Sequence, residues 1–296
     1  MIPLMIAVVF WGFSYVAIKL ALVDLSPTHL VAARFVLAIP TLWLIGRAQG
    51  KSFSLTALTK VDRVRLVAVG VVLAAHFWIM AEGMLDTTAN NTAWILAAAP
   101  VCIVALARFT LKERLSLVQY GGMAIAACGV LYLVSDGRPS NIGWISSRGD
   151  LLVLITDLTW AVFTVYTGFL IRKLDPLVLT FYSSCIAAAV IIPVALTGGF
   201  ADYANVTILS GGSVIFLGIG CLAMAFWCYT IGIAQFGAGR AGAYLYLEPV
   251  FTVLGAYYFL NEKVTMVLVA AAILITLGVY LCERRSSSVV QKPPAG

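Results

Sequence analysis

The chain repeats one pattern: AAAPVCIVALARFTLKERLS at residues 97–116 returns as LYLEPVFTVLGAYYFLNEKVT at residues 245–265. In both copies a proline is followed 13 residues later by a glutamate, and the copies lie 149 residues apart. The same offset, without a gap, pairs Pro100 with Pro249, Glu113 with Glu262, Trp11 with Trp160, Trp78 with Trp227, Pro27 with Pro176, Gly83 with Gly232 and Gly129 with Gly278. Because the chain has only 7 Trp and 10 Pro, these matches indicate an internal duplication.

The composition predicts a membrane protein. Of the 296 residues, 62% are hydrophobic and 11% are charged, whereas soluble domains have ~45–50% apolar and ~25% charged residues. So few charges cannot cover a soluble particle, and disorder or a disulfide-rich scaffold is excluded for the bulk of the chain. The strands of an outer-membrane barrel alternate apolar and polar residues, while the apolar runs here are continuous. We therefore predict an all-α polytopic membrane protein.

Ten apolar runs are long enough to cross a bilayer, because a transmembrane helix needs ~20 mainly apolar residues. They lie at residues 3–22, 29–46, 66–84, 91–111, 116–134, 149–171, 176–197, 211–232, 240–260 and 265–282. Fourteen Lys and Arg residues fall on the side of the two termini and three on the opposite side. Since cytoplasmic loops are enriched in Lys and Arg, both termini are predicted to be cytoplasmic. These loops also explain the net charge of +6, so that no nucleic-acid partner is expected.

The duplication divides the ten transmembrane helices into two five-helix repeats. The predicted units are a first repeat at 1–137, a periplasmic linker loop at 138–148, a second repeat at 149–283 and a disordered cytoplasmic tail at 284–296. Because five is odd, the second repeat enters the membrane from the opposite side. Such inverted-topology repeats are typical of secondary transporters, which bind their substrate near the bilayer midplane at the repeat interface.

The sequence FWGFSYVAIK at residues 10–19, together with both proline–glutamate copies, resembles a known family. On these motifs the chain is identified as a member of the drug/metabolite transporter superfamily, in its EamA-type ten-helix branch. The resemblance covers residues 1–283. Within the superfamily, the chain is similar to bacterial exporters of amino acids, notably aromatic ones. It implies two five-helix repeats and a transport function.

Two tryptophans lie near the middle of predicted spans and are the first candidates for a substrate site. Trp11 and Trp160 could offer ring faces to an aromatic or aliphatic side chain; the alternative is helix packing or lipid contact. Ser14 and Tyr15 share a helix face with Trp11 and could offer hydroxyls to a zwitterion.

Ionisable residues inside predicted spans are the second group of candidates, because such residues usually face a cavity or the bundle interior. His76, with Trp78 close by, could line the cavity or bond to a neighbouring helix as a neutral side chain. Asp157 and Glu248 could carry a coupling proton or receive a substrate ammonium group. Glu248 could instead act with Pro249 to satisfy backbone groups freed by a kink.

Four further residues are predicted from their positions in the fourth and ninth spans. Trp94 and Tyr244 could line or gate the cavity, or belong to an interfacial aromatic belt. Pro100 and Pro249 interrupt corresponding helices and are predicted hinges.

Other conspicuous polar residues are expected to be structural. Glu113 and Glu262 are expected to cap and pair helix ends. Lys19 and Arg34 lie toward span ends and are expected to reach the interface, where Arg34 could alternatively meet a carboxylate.

The predicted function is export of amino acids, aromatic or apolar ones favoured, or of similar small metabolites by an inner-membrane secondary transporter. The alternative is a multidrug or other metabolite efflux carrier of the same fold, ahead of a lipid scramblase, a channel or an intramembrane hydrolase. With no Lys or Arg near a predicted span midpoint, phosphorylated substrates are disfavoured. A substrate and membrane lipid are the expected partners, and a monomer is compatible with the sequence.

No enzymatic activity, cofactor or metal is expected. The chain has only two histidines and no GxSxG or P-loop motif. The six cysteines lie in or at the ends of apolar runs without a CxxC pair, which is typical of buried thiols.

Overall fold

A computed structural model describes most of the chain. The described residues are 1–87, 92, 95–113, 115–135, 137, 138, 140, 147–199, 203, 206–252, 254 and 266–283. Trp94, Glu262, the tail at 284–296 and most of the predicted linker at 138–148 lie outside them.

The described residues form helices, turns and short connections, with no strand among them. The helices are α1 (Ile2–Ala21), α2 (Pro27–Ala48), α3 (Lys60–Asp86), α4 (Ala99–Thr110), α5 (Leu117–Val134), α6 (Arg148–Leu170), α7 (Pro176–Thr197), α8 (Ile208–Phe236), α9 (Ala238–Ala243) and α10 (Met266–Glu283). Six of them (α1, α2, α3, α6, α7 and α8) are long and apolar enough to cross a membrane, while α4, α5 and α10 are shorter apolar helices. The predicted all-α polytopic class is confirmed. The count of ten spans stays a prediction, because parts of the fourth and ninth spans lie outside the described residues.

Side-chain caps set the starts of several helices, and hydropathy alone placed one of these starts inaccurately. The predicted third span begins at residue 66, whereas α3 begins at Lys60 because Thr59 and Asp62 form a reciprocal capping box. Ser147 and Asp150 cap α6 in the same way. These caps satisfy backbone N–H groups that a helix end leaves without partners.

Helix α8 is longer than its predicted span of 211–232, because it begins after a cap at Thr207 and continues to Gly237. Gly237 has a φ of 84°, a conformation that L side chains rarely adopt, and this ends the helix. Thr207 also bonds to Asp24 in the loop between α1 and α2, through its backbone N–H at 2.9 Å and its hydroxyl at 2.7 Å. These hydrogen bonds lower the pKa of the Asp24 carboxyl, because they favour its ionised form.

The main helix contacts join the two predicted repeats. Helix α1 packs on α8, α2 on α7, α3 on α6, and α5 on α10. The pair α5 and α10 approaches most closely where glycines face each other: a Cβ placed on Gly278 would lie 2.5 Å from the carbonyl oxygen of Gly122. This crossing therefore requires small residues, as is common where membrane helices pack.

Replacing Gly122 with alanine is expected to destabilise the protein. A Cβ there would lie 2.6 Å from the carbonyl oxygen of Gly278, so that α10 must shift. Overpacking of this kind costs ~1–3 kcal/mol. The adjacent Gly121 is the matched control, since its Cβ would meet nothing within 4 Å. Thermal unfolding in detergent should show a lower midpoint for G122A and not for G121A; equal midpoints would contradict the close crossing.

Candidate functional site

A cavity lies at the centre of the helix bundle, between the two predicted repeats. Its walls come from α1, α2, α3, α4, α5, α6 and α8 and from the segments just before α4 and after α9. The lining residues are Trp11, Ser14, Tyr15, Ile18, Arg34, His76, Phe77, Met80, Leu96, Ala99, Val130, Asp157, Trp160, Phe226, Leu245, Tyr246, Glu248, Pro249 and Thr252. Both predicted halves thus contribute aromatic and polar side chains.

Aromatic rings form one wall of the cavity. The rings of Trp11 and Trp160 meet edge to face with centroids 5.2 Å apart, the geometry that aromatic pairs favour. Phe226 of α8 contacts both rings, at 5.7 and 5.3 Å. The Trp11 indole N–H donates to the carbonyl oxygen of Cys221 at 3.2 Å. The structure therefore brings the two predicted tryptophans together across the repeat interface.

The π-helical part of α8, Phe216–Ala225, carries that Cys221 carbonyl. Such segments are rare and often occur at functional sites. Hydropathy could not predict this segment, because its residues are as apolar as those of the flanking α-helical turns.

A buried hydrogen bond links the two predicted repeats on the polar side of the cavity. The Tyr15 hydroxyl donates to Oε2 of Glu248 at 2.6 Å. Close by, the Thr252 hydroxyl donates to the carbonyl oxygen of Gly12 at 2.9 Å. Ser14 also lines the cavity, but its hydroxyl donates to the carbonyl oxygen of Trp11 in its own helix at 2.7 Å.

His76 both lines the cavity and contacts polar atoms of a neighbouring helix, the two alternatives that the sequence left open. Its ring lines the cavity, 4.9 Å from the Trp160 ring. Its Nδ1 lies 3.0 Å from the Thr159 hydroxyl and 3.3 Å from the Thr156 carbonyl oxygen, both on α6. These contacts orient the imidazole.

Arg34 and Asp157 are charged residues buried in the cavity wall. Asp157 is 0% exposed, and neither carboxylate oxygen has a hydrogen-bond partner among the described residues. Arg34 is 3% exposed; its guanidinium lies over the Phe77 ring, 4.2 Å from the centroid, and Nε has no partner in the described part of the chain.

The position of Arg34 corrects the sequence analysis. Arg34 was expected to reach the interface or to meet a carboxylate there. It lies instead two turns inside α2 and is buried on the face that packs on α3. A charged residue within an apolar helix is itself a signal of function, and this signal could have identified it.

Two predicted aromatic residues lie apart from the cavity lining. Trp78 is 41% exposed and donates from its indole N–H to the Thr28 hydroxyl at 3.1 Å, so that it faces away from the cavity. Tyr244 is buried, with no hydroxyl partner among the described residues, but it is not a lining residue. Because Trp78 is two residues from His76, a helix places these side chains on different faces.

Both predicted hinge prolines follow a 3₁₀ turn at corresponding positions. Pro100 lies in the first turn of α4, directly after the turn Leu96–Ala98, rather than in mid-helix. Pro249 follows the turn Tyr244–Leu247. In each half the helix thus changes from 3₁₀ to α geometry next to the cavity.

Two expected structural residues cap other helices. Glu113 accepts hydrogen bonds from the backbone N–H groups of Ala238 and Gly239, both at 3.0 Å. Lys19, which was expected to reach the interface, donates to the carbonyl oxygens of Met84 and Thr87 at the end of α3.

Comparison with known families assigns the chain to a class of proteins. The family described as EamA-like transporter family matches residues 1–135 and 147–283. The chain belongs to this family. It is therefore a transporter with several membrane-spanning helices, and the predicted membership of the EamA branch is confirmed.

Relatives of this EamA-family protein match it over nearly its full length. An uncharacterized transporter of Archaeoglobus fulgidus is 28% identical, over 94% of this chain and 95% of the relative. A probable amino-acid metabolite efflux pump of Salmonella typhimurium is 26% identical, over 94% and 92%. A solved crystal structure with 20% identity has a TM-score of 0.77 and covers 95% of both chains, which shows a shared fold.

Proposed function

We propose that this EamA-family transporter exports amino acids, with aromatic or apolar ones favoured, or similar small metabolites. It acts as a secondary carrier by alternating access, and transport rather than catalysis is its activity. The observation that carries the proposal is the cavity itself, which is lined by aromatic rings and by buried ionisable groups contributed by both halves. The name of the Salmonella relative supports the substrate class.

Two inverted repeats, 1–137 and 149–283, are the proposed moving units. The family match is split in nearly the same place. The helix contacts also support two repeats. The pairs α2 with α7 and α5 with α10 each join helices that are equivalent by the 149-residue offset. By the same offset α1 corresponds to α6 and α3 to α8, so that the contact of α1 with α8 is repeated in the contact of α3 with α6. Rocking of one half against the other, with Pro100 and Pro249 as hinges, would open the cavity to each side in turn.

The proposed location is the bacterial inner membrane, with both termini in the cytoplasm and the linker 138–148 in the periplasm. The excess of Lys and Arg in the loops on the side of the termini supports this orientation. On that side Lys51 pairs with Asp175 at 2.6 Å and Lys173 pairs with Asp62 at 2.5 Å.

Counterflow into proteoliposomes tests the proposal. Labelled phenylalanine should accumulate saturably against an internal pool of unlabelled phenylalanine, and leucine and tryptophan should compete. A response to an imposed pH gradient would indicate proton coupling through Asp157 or Glu248, and no response would indicate facilitated exchange. If the folded protein takes up no amino acid, the proposed substrate class is wrong and efflux of other metabolites or drugs becomes the better proposal.

A further inference from the structure

Arg34 and Asp157 are buried in one cavity, and each has side-chain polar atoms without a hydrogen-bond partner among the described residues. Neither Arg34 nor Asp157 forms an ion pair within 4 Å among the described residues. A buried charge is costly unless it is paired and hydrogen-bonded. Asp62, at the end of the bundle, differs in this respect, because it forms ion pairs with both Lys173 and Arg65.

We propose that Arg34 binds the carboxylate and Asp157 binds the ammonium group of a zwitterionic substrate, which is a free α-amino acid. This inference rests on the proposed function, and it names the cavity residues that bind the two charged groups of the substrate. Arg34 is not among the candidates that hydropathy and repeat position identified.

Arg34 suits a carboxylate because its guanidinium is a planar fork that donates two parallel hydrogen bonds. The Cζ atom of this guanidinium lies over the Phe77 ring, 4.2 Å from its centroid. A ring on the face leaves the N–H groups at the edge for a ligand.

Asp157, rather than Glu248, is the ammonium site, because the two carboxylates differ in what they already accept. Glu248 receives the Tyr15 hydroxyl at 2.6 Å. Both oxygens of Asp157 lack a hydrogen-bond partner in the described part of the structure, and a cationic donor would stabilise the ionised form of this carboxyl. An ammonium group supplies three donors.

The substrate side chain has a place beside these charges. Trp160 follows Asp157 by three residues on α6, so that both lie on the same helix face. An ammonium group held at Asp157 therefore leaves the substrate side chain next to Trp160 and Trp11, whose rings suit apolar or aromatic groups.

A site with two buried ionisable groups should reject molecules that lack either partner, because one of these groups then stays without a hydrogen-bond partner. The test measures inhibition of phenylalanine counterflow by phenylalanine, by phenylethylamine, which lacks the carboxylate, and by 3-phenylpropionate, which lacks the ammonium group. On the wild-type protein, both analogues should inhibit at least about tenfold more weakly than phenylalanine.

Two substitutions assign each end of the ligand. Arg34→Gln should weaken inhibition by phenylalanine about tenfold or more and leave inhibition by phenylethylamine unchanged, because only the carboxylate contact is lost. Asp157→Asn should weaken inhibition by phenylalanine by a similar factor and leave inhibition by 3-phenylpropionate unchanged. Arg47→Gln is the matched control, because Arg47 is an exposed arginine on the same helix and should alter none of the three.

The outcomes separate this inference from the proposed function. If wild-type protein transports phenylalanine but Arg34→Gln weakens all three ligands equally or none, Arg34 does not bind the carboxylate; the same applies to Asp157→Asn and the ammonium group. If a variant does not fold, the wild-type protein still decides, because inhibition by either analogue as strong as by phenylalanine overturns the corresponding contact. A folded wild-type protein that takes up no amino acid contradicts the proposed function instead.

Discussion

Replacing Trp160 with alanine is expected to lower phenylalanine counterflow at least about tenfold and to lower the thermal unfolding midpoint. The Trp160 ring contacts those of Trp11, His76 and Phe226 with centroids between 4.9 and 5.3 Å apart. Removing a buried tryptophan ring costs ~3–5 kcal/mol, and each aromatic pair adds ~0.5–1.5 kcal/mol beyond burial. The aromatic wall, which we propose contacts the substrate, would therefore lose both surface area and ordered packing.

Trp78→Ala is the matched control for this prediction, because Trp78 is a tryptophan of similar size that lies outside the cavity. It should leave the apparent KM for phenylalanine unchanged. Trp160→Phe keeps a ring and should fall between wild type and W160A in both measurements. If folded W160A transports like wild type, or if W78A loses as much activity, the aromatic wall does not contact the substrate.

Glu248→Ala is expected to abolish most transport, because it removes the acceptor of a buried hydrogen bond between the two repeats. The Tyr15 hydroxyl would lose its partner at 2.6 Å. A hydrogen bond to a charged group contributes ~1.5–3 kcal/mol, and leaving a buried donor unpaired costs ~1–3 kcal/mol. Counterflow should fall at least about tenfold, the equivalent of ~1.4 kcal/mol.

A double-mutant cycle with Tyr15→Phe isolates this hydrogen bond. The combined variant Y15F/E248A should be less damaging than the sum of the single changes, with a coupling of ~1.5–3 kcal/mol in thermal unfolding. Glu248→Gln keeps an oxygen acceptor, and its unfolding midpoint should lie close to that of wild type. This variant separates the effect of the carboxyl group's ionisation from the effect of the hydrogen bond. Additive effects in the cycle would show that the two side chains act independently.

The sequence predicted the fold class because hydropathy is a local property of each segment. The break between the first two helices, for example, follows from Ser26 and Pro27, which cap and begin α2. Starts such as Lys60 were misplaced by several residues because charged residues near a membrane surface lower the hydropathy of a turn that is nonetheless helical.

The repeat predicted part of the candidate site. Trp11 and Trp160 were paired by the 149-residue offset, and the structure brings their rings into contact. Trp78 and Trp227 were paired by the same offset, yet neither lines the cavity. The offset identifies equivalent positions in the two halves but carries no information about which face of a helix is turned inward.

Sequence alone therefore determined the helical membrane class, the duplication and the EamA family, because composition, periodicity and repeated motifs depend only on residue order. Only the tertiary structure decided which polar residues meet in the cavity and which of them lack partners. Arg34 shows the physical reason: whether a long cationic side chain reaches the membrane surface or turns inward depends on the helix packed against it. That neighbour is Phe77 of α3, more than forty residues away in the chain.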